Sequence, residues 1–303
     1  MRLVDDQQFM ELLKNGLFRD QVLPQSVTFI EDQLLTTAPK GKNIVMDVYY
    51  REKNPLFPRP AVIFLHGGGF WSGDKRQFWP QASFLALQYN YFAVSVNYRL
   101  SGDASFPAAL WDVKCAIRWV RSVSESYHID PQKIALIGGS PGGQLAAMAG
   151  VTNGVQVYEG NGGYGDFASD VNLAIIFNGV LDFISFLKTA PGEKDHIRQY
   201  LGGTPEEIPE IYQEASPLLR VGLGAPPMLL LHGRDDAVIS WKNSAQMVEN
   251  LNKQGISSKM EIFEGKGHGW FNQPVEVMET LKRIEPFIAK YFGLPKEGRL
   301  WHS

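Results

Sequence analysis

Apolar and polar residues alternate with a period of two along residues 43–50, which predicts a strand with two differently solvated faces. Further short runs rich in β-branched and aromatic residues predict strands at 61–65, 91–97, 133–138, 171–178, 228–232 and 259–263. Several are apolar at both alternating positions, the pattern of central strands in a parallel sheet covered on both faces. Between them the apolar spacing changes to three and four, predicting helices over 77–88, 108–124, 144–151, 243–254 and 275–291. Strand and helix in alternation predict an α/β fold: a doubly wound, mostly parallel sheet with helices on both faces.

Two segments break this rhythm. Residues 153–170 are rich in Gly, Asn and Asp, and residues 183–224 hold short helical pieces separated by Pro191, Gly202, Gly203, Pro205, Pro209 and Pro217. Both read as insertions over the strand ends, the second as a small lid-like one. Neither a linker nor an internal repeat is present, so residues 1–303 read as a single domain.

Three Gly-rich turns and one acidic turn follow predicted strands. Gly138-Gly139-Ser140-Pro141-Gly142 fits G-x-S-x-G between the strand KIALI and the helix QLAAMAG, the setting in which a serine hydroxyl stands free on a strained strand-to-helix turn. His66-Gly67-Gly68-Gly69-Phe70-Trp71 follows AVIFL, and glycines there let backbone N–H groups approach a developing oxyanion. Arg234-Asp235-Asp236 follows MLLLHG, and Lys266-Gly267-His268-Gly269 follows KMEIFEG. A plain turn, an anion nest or solvated loop residues would explain each motif alone. Serine, acid and histidine in that chain order, all at strand ends, favour a nucleophile–base–acid unit. Asp235 and Asp236 both remain candidates for the acid on spacing alone.

Composition narrows the alternatives. Lys+Arg number 29 against 32 Asp+Glu, a net charge of −3, and no long basic run offers a surface for nucleic acid. The lone Cys115 excludes an internal disulfide and a Cys-cluster metal site, and neither H-E-x-x-H nor an EF-hand loop occurs, so no metal or cofactor is expected. The opening MRLVDDQQFMELLKN lacks the apolar run of a signal peptide, and no stretch reaches about 18 apolar residues, so a soluble chain without a membrane span is expected. Composition fixes neither the compartment nor the oligomeric state.

The segments HGGGFWSGDK, VSVNYRL, FPAALWDVKCAIRWV, GGSPGGQLAA, HGRDDAVIS and GKGHGW resemble α/β-hydrolase esterases of the hormone-sensitive-lipase-like kind. The likeness is greatest to microbial acetyl-xylan and feruloyl esterase-like proteins without a large cap, and it spans residues 43–292. It implies an α/β-hydrolase fold with Ser140 as nucleophile, His268 as base, Asp236 as the orienting acid, and the amides of Gly68 and Gly69 as oxyanion donors. It also implies a carboxylester hydrolase for short acyl chains, acting through an acyl-enzyme on a small-molecule or carbohydrate ester such as acetylated or feruloylated xylan. The alternatives are an amide or formamide hydrolase or peptidase with the same triad, and a weakly active or non-catalytic binding protein on the same fold.

Trp71 and Trp270, adjacent to these loops, are candidate substrate-lining residues, whereas Arg234, His128, His196 and His302 read as surface residues and Asp112 and Asp182 as structural carboxylates. Pro141 departs from the resemblance: the residue after the serine usually donates its N–H to the oxyanion, and proline has none.

Overall fold

The structure, a computed structural model, describes residues 1–52, 56–189, 194–222 and 224–293; Pro191 and His302 lie outside them. In chain order the elements are β1 (Arg2–Val4), α1 (Asp6–Asn15), β2 (Val22–Pro24), β3 (Thr28–Ala38), β4 (Lys42–Tyr50), β5 (Arg59–Leu65), α2 (Trp79–Tyr89) and β6 (Phe92–Val96). They continue with α3 (Ala108–Ser122), β7 (Ile129–Gly139), α4 (Pro141–Val151), β8 (Leu173–Phe177), α5 (Phe183–Thr189), α6 (Asp195–Leu201) and α7 (Pro209–Glu214). The last four are β9 (Met228–Gly233), α8 (Lys242–Lys253), β10 (Lys259–Phe263) and α9 (Val277–Phe292).

Eight strands form the main sheet in the order β10-β9-β8-β7-β5-β6-β4-β3, and β1 pairs with β2 in a small separate one. Strands β5 to β10 run parallel, while β4 is antiparallel to both β3 and β6. The central strands are apolar at consecutive positions because each face has its own core. Ile63, Leu65, Val94, Leu136, Ile176 and Leu230 point toward α3, α4 and α8. Their neighbours Val62, Phe64, Ala93, Ile137, Ile175 and Leu231 point toward α1, α2 and α9. This is the doubly wound, mostly parallel α/β architecture that the pattern predicts, and it agrees with the α/β-hydrolase fold that the resemblance implies.

Two expectations need correction. The helix read from residue 77 begins with a 3-10 turn at Lys75–Phe78 and becomes α-helical at Trp79, and the helix read from residue 144 begins at Pro141. Helix starts use proline and glycine, which carry no apolar periodicity. The glycine-rich segment 153–170 lies along α3 rather than over the strand ends. Lys114 Nζ donates to Thr152 O, Glu159 Oε1 and Ser169 Oγ at 2.9, 3.0 and 3.0 Å, and Arg118 and Arg121 donate to carbonyls of residues 159, 163, 168 and 170. The second insertion does sit at the strand ends: Tyr200 of α6 stacks on Phe70 with ring centroids 3.6 Å apart and planes inclined by 13°. Among the described residues no helix is long and apolar enough to cross a membrane.

Candidate active site

Ser140 joins β7 to α4 at φ 55° and ψ −115°, a conformation that costs a non-glycine residue strain and pushes its side chain clear of the turn. The flanking glycines make this turn possible. A Cβ on Gly138 would lie 2.1 Å from Gly142 O, and one on Gly142 would lie 2.1 Å from Leu65 O. Pro141 occupies the first position of α4, where a missing N–H breaks no helical hydrogen bond.

Ser140 Oγ donates to His268 Nε2 at 2.8 Å, and His268 Nδ1–H donates to Asp236 Oδ2 at 2.8 Å. The N–H groups of Val238 and Ile239 donate to the other carboxylate oxygen at 2.8 and 2.9 Å. The Asp236 side chain is wholly buried, which by itself would raise its pKa. Hydrogen bonds from His232 and His268, the charge of His268 and the Ile239 N–H outweigh that penalty and hold the carboxyl below the ordinary range. Asp235 is exposed and points elsewhere, its N–H bonded to Lys266 O at 3.0 Å.

His232 was not singled out as functional from sequence. Its Nε2 lies 3.2 Å from Asp236 Oδ2 and 2.9 Å from Ile239 O, while its Nδ1 accepts from Ser244 Oγ at 2.8 Å. The only sequence signal was the four-residue spacing from His232 to Asp236.

In the loop that follows β5, Gly68, Gly69 and Phe70 take φ values of 117°, 64° and 68°. A Cβ on Gly68 would meet Ser72 O at 2.2 Å, so this loop requires glycine there. A Cβ on Gly69 would lie 2.7 Å from Trp71 Nε1 and 3.6 Å from His196 Cδ2. Trp71 is 63% exposed at this rim. His196, read from sequence as a plain surface residue, is half-buried beside the same glycine, with a pKa lowered by burial and then by Lys194.

Trp270 is corrected to a core residue: at 2% exposure it packs on Phe263 with centroids 4.1 Å apart and on Phe177 and Phe271, leaving no surface for a substrate. Asp112 forms a two-pronged ion pair with Arg99, and Asp182 Oδ1 accepts from Ser185 N–H at 3.1 Å at the start of α5. Arg234 pairs with Glu264 and lies over the Trp241 ring. Among the described residues no group of three or more His, Cys, Asp or Glu could hold a metal ion.

A serine on a strained elbow, a histidine bonded to it and a buried carboxylate behind that histidine make up the triad geometry found on the α/β-hydrolase fold. Residues 46–251 match the BD-FAE family model, and the chain belongs to that family. It is 31% identical over 239 residues to "Esterase LipC" of Mycobacterium tuberculosis, an alignment covering 75% of this chain and 57% of LipC. It is also 31% identical over 265 residues to "Probable carboxylic ester hydrolase LipM" of the same organism, covering 85% and 61%. The chain thus spans about three fifths of the length of these curated relatives. Among solved structures it is similar to the propionate-bound esterase Est2 of Thermogutta terrifontis, with TM-score 0.74, 28% identity, and 88% of this chain and 96% of that one covered. A truncated carbohydrate esterase from gut microbiota matches with TM-score 0.74 and 25% identity over 87% and 96%.

Proposed function

We propose that this protein is a serine carboxylester hydrolase that cleaves short-chain acyl esters through an acyl-enzyme. The observation that carries this reading is the unbroken relay from Ser140 through His268 to Asp236, with both hydrogen bonds at 2.8 Å. His268 takes the Ser140 proton as Oγ attacks the ester carbonyl, and the N–H groups of Gly68 and Gly69 receive the oxyanion. The imidazolium, stabilised by Asp236, returns the proton to the departing alcohol. Water then repeats the sequence on the acyl-serine and releases the acid. Tightly packed Ser140 N–H, bonded to Phe177 O at 2.8 Å, and Pro141, without an N–H, leave the oxyanion to the glycine loop.

The names of the relatives support an ester as substrate, and a neighbour that binds propionate supports a short acyl group. The segment 183–224, short and broken by prolines, offers little continuous apolar wall for a long chain. The exposed Trp71 ring beside Gly69 suits a sugar face, and one structural neighbour is a carbohydrate esterase, so acetylated or feruloylated xylan is the polysaccharide substrate we favour.

The test is a series of para-nitrophenyl esters from acetate to decanoate, with acetylated xylan, methyl ferulate and a matched anilide alongside. Acetate to butyrate should turn over fastest, and Ser140→Ala should lose at least about 10³ in kcat. Full activity in a pure Ser140→Ala preparation would end the hydrolase reading. Faster turnover of the anilide would move it to amide hydrolysis, and preference for chains beyond about ten carbons would refute the short-chain assignment.

A further inference from the structure

Strand β8 supplies no member of the triad, yet its C-terminal end touches the turns of Ser140 and His268 and the strand that leads to Asp236. Phe177 lies opposite Gly139 of β7 on one side and Leu231 of β9 on the other. Its carbonyl accepts the Ser140 N–H at 2.8 Å, which fixes the nucleophile turn. The next residue, Asn178, is fully buried at φ 41°; its own N–H donates to Leu231 O at 3.1 Å, in the strand that leads to Asp236. Its side-chain Nδ2 donates to the backbone carbonyl of His268, 90 residues further along the chain.

The remaining atom of this side chain argues that the amide is there for that one bond. Asn178 Oδ1 is buried without a hydrogen-bond partner among the described residues. Leaving a buried acceptor unpaired is unfavourable, and glycine would take the positive φ with no orphaned oxygen. A residue serving only the turn would therefore not need the carboxamide. The His268 loop, by contrast, lies beyond the edge strand β10 and rests on glycines 267 and 269, so little in its own sequence holds the histidine carbonyl still.

We infer that Asn178 is a positioning residue that anchors His268 against the end of β8, holding the imidazole in register with both Ser140 and Asp236. This rests on the hydrolase reading above. Without the anchor the imidazole spends less time aligned with Ser140 Oγ, which slows acylation, while the walls that receive the substrate are unchanged.

The experiment uses the full chain with para-nitrophenyl acetate and a serine-reactive phosphonate. Wild-type activity abolished by Ser140→Ala establishes the reaction independently of Asn178. Asn178→Gly and Asn178→Ser, which tolerate the turn but cannot reach His268 O, should lower kcat at least tenfold with KM within about threefold, and slow phosphonate capture in proportion without reducing its final stoichiometry. In the wild-type protein, selectively labelled Asn178 should show Nδ2 protons protected from exchange, a readout that survives even if neither variant folds. Folded variants with kcat within threefold of wild type, a parallel rise in KM, or freely exchanging Asn178 Nδ2 protons would each overturn the inference.

Discussion

Asp236 accepts hydrogen bonds at both oxygens of a fully buried carboxylate, whereas Asp235, one residue earlier, is exposed to solvent. Replacing Asp236 by Asn should therefore lower kcat by about 10³ or more, because the amide no longer fixes the His268 tautomer, and Asp235→Asn should stay within about twofold. Steady-state kinetics on a short ester decide this, and the reverse ranking would move the acid by one position. Pro141 bears on the other side of the reaction. Removing one oxyanion donor costs up to about 2.7–4 kcal/mol of transition-state stabilisation, so Pro141→Ala, which restores an N–H, should raise kcat about tenfold or more with a smaller effect on KM. An unchanged kcat in the folded variant would mean that another donor already fills that place. Ser140 and His268 were legible in the sequence because glycines at fixed spacing mark their turns. Asn178 and His232 were not, because their work depends on contacts set by strand order and on loop direction.

The glycine loop after β5 gains rigidity from an element far away in sequence. Phe70 holds a positive φ and stacks on Tyr200 of α6, and Ser101 N–H donates to Phe70 O at 2.8 Å. Truncation by Tyr200→Ala should destabilise the protein by about 3–5 kcal/mol and lower kcat as the loop loosens, while Tyr200→Phe, which keeps the stack, should stay within about 1 kcal/mol of wild type. Urea unfolding and kinetics on both variants check this; a Tyr200→Ala protein as stable as wild type would refute the clamp. Parallel strands were the readily legible elements, since burial on both faces leaves an unbroken apolar run. The N-terminal elements were not. β3 pairs at the sheet's antiparallel edge with register shifts between Ile30 and Gln33 and between Leu34 and Thr36, and each shift interrupts the alternation that marks a strand. The path of residues 153–170 was equally hidden, being decided by cations on α3 rather than by the segment's own pattern.

At the scale of the whole molecule, stability should carry the signature of His66. This ring follows β5 at the start of the glycine loop, stacked on Tyr98 with centroids 4.2 Å apart, and its Nδ1–H donates to Gly67 O at 2.8 Å. Burial pushes its pKa down to about 4, against an ordinary histidine near 6.5. The unfolded chain thus binds a proton between about pH 6.5 and 4 that the native state refuses. This contribution is intact above about pH 6.5, is lost progressively as pH falls toward 4, and amounts to roughly 3 kcal/mol when fully lost. Urea unfolding from pH 7.5 to 4 should show a steeper decline for the wild type than for His66→Asn, and parallel curves would count against the buried neutral imidazole.

Order of synthesis gives the dispersed triad a further meaning. His268 lies 128 residues after Ser140 and 32 after Asp236, beyond β9 and β10, whose pairings with β8 and with each other join segments well separated in sequence. Such non-local pairings form late, because the loop they close must be ordered first. On the proposed mechanism a growing chain would carry Ser140 long before His268, and would not hydrolyse esters until β9 and β10 had docked. Restored hydrolysis in a refolding sample is therefore a clock for the last edge of the sheet, and it should lag behind the helical signal of the segments that fold on local contacts alone.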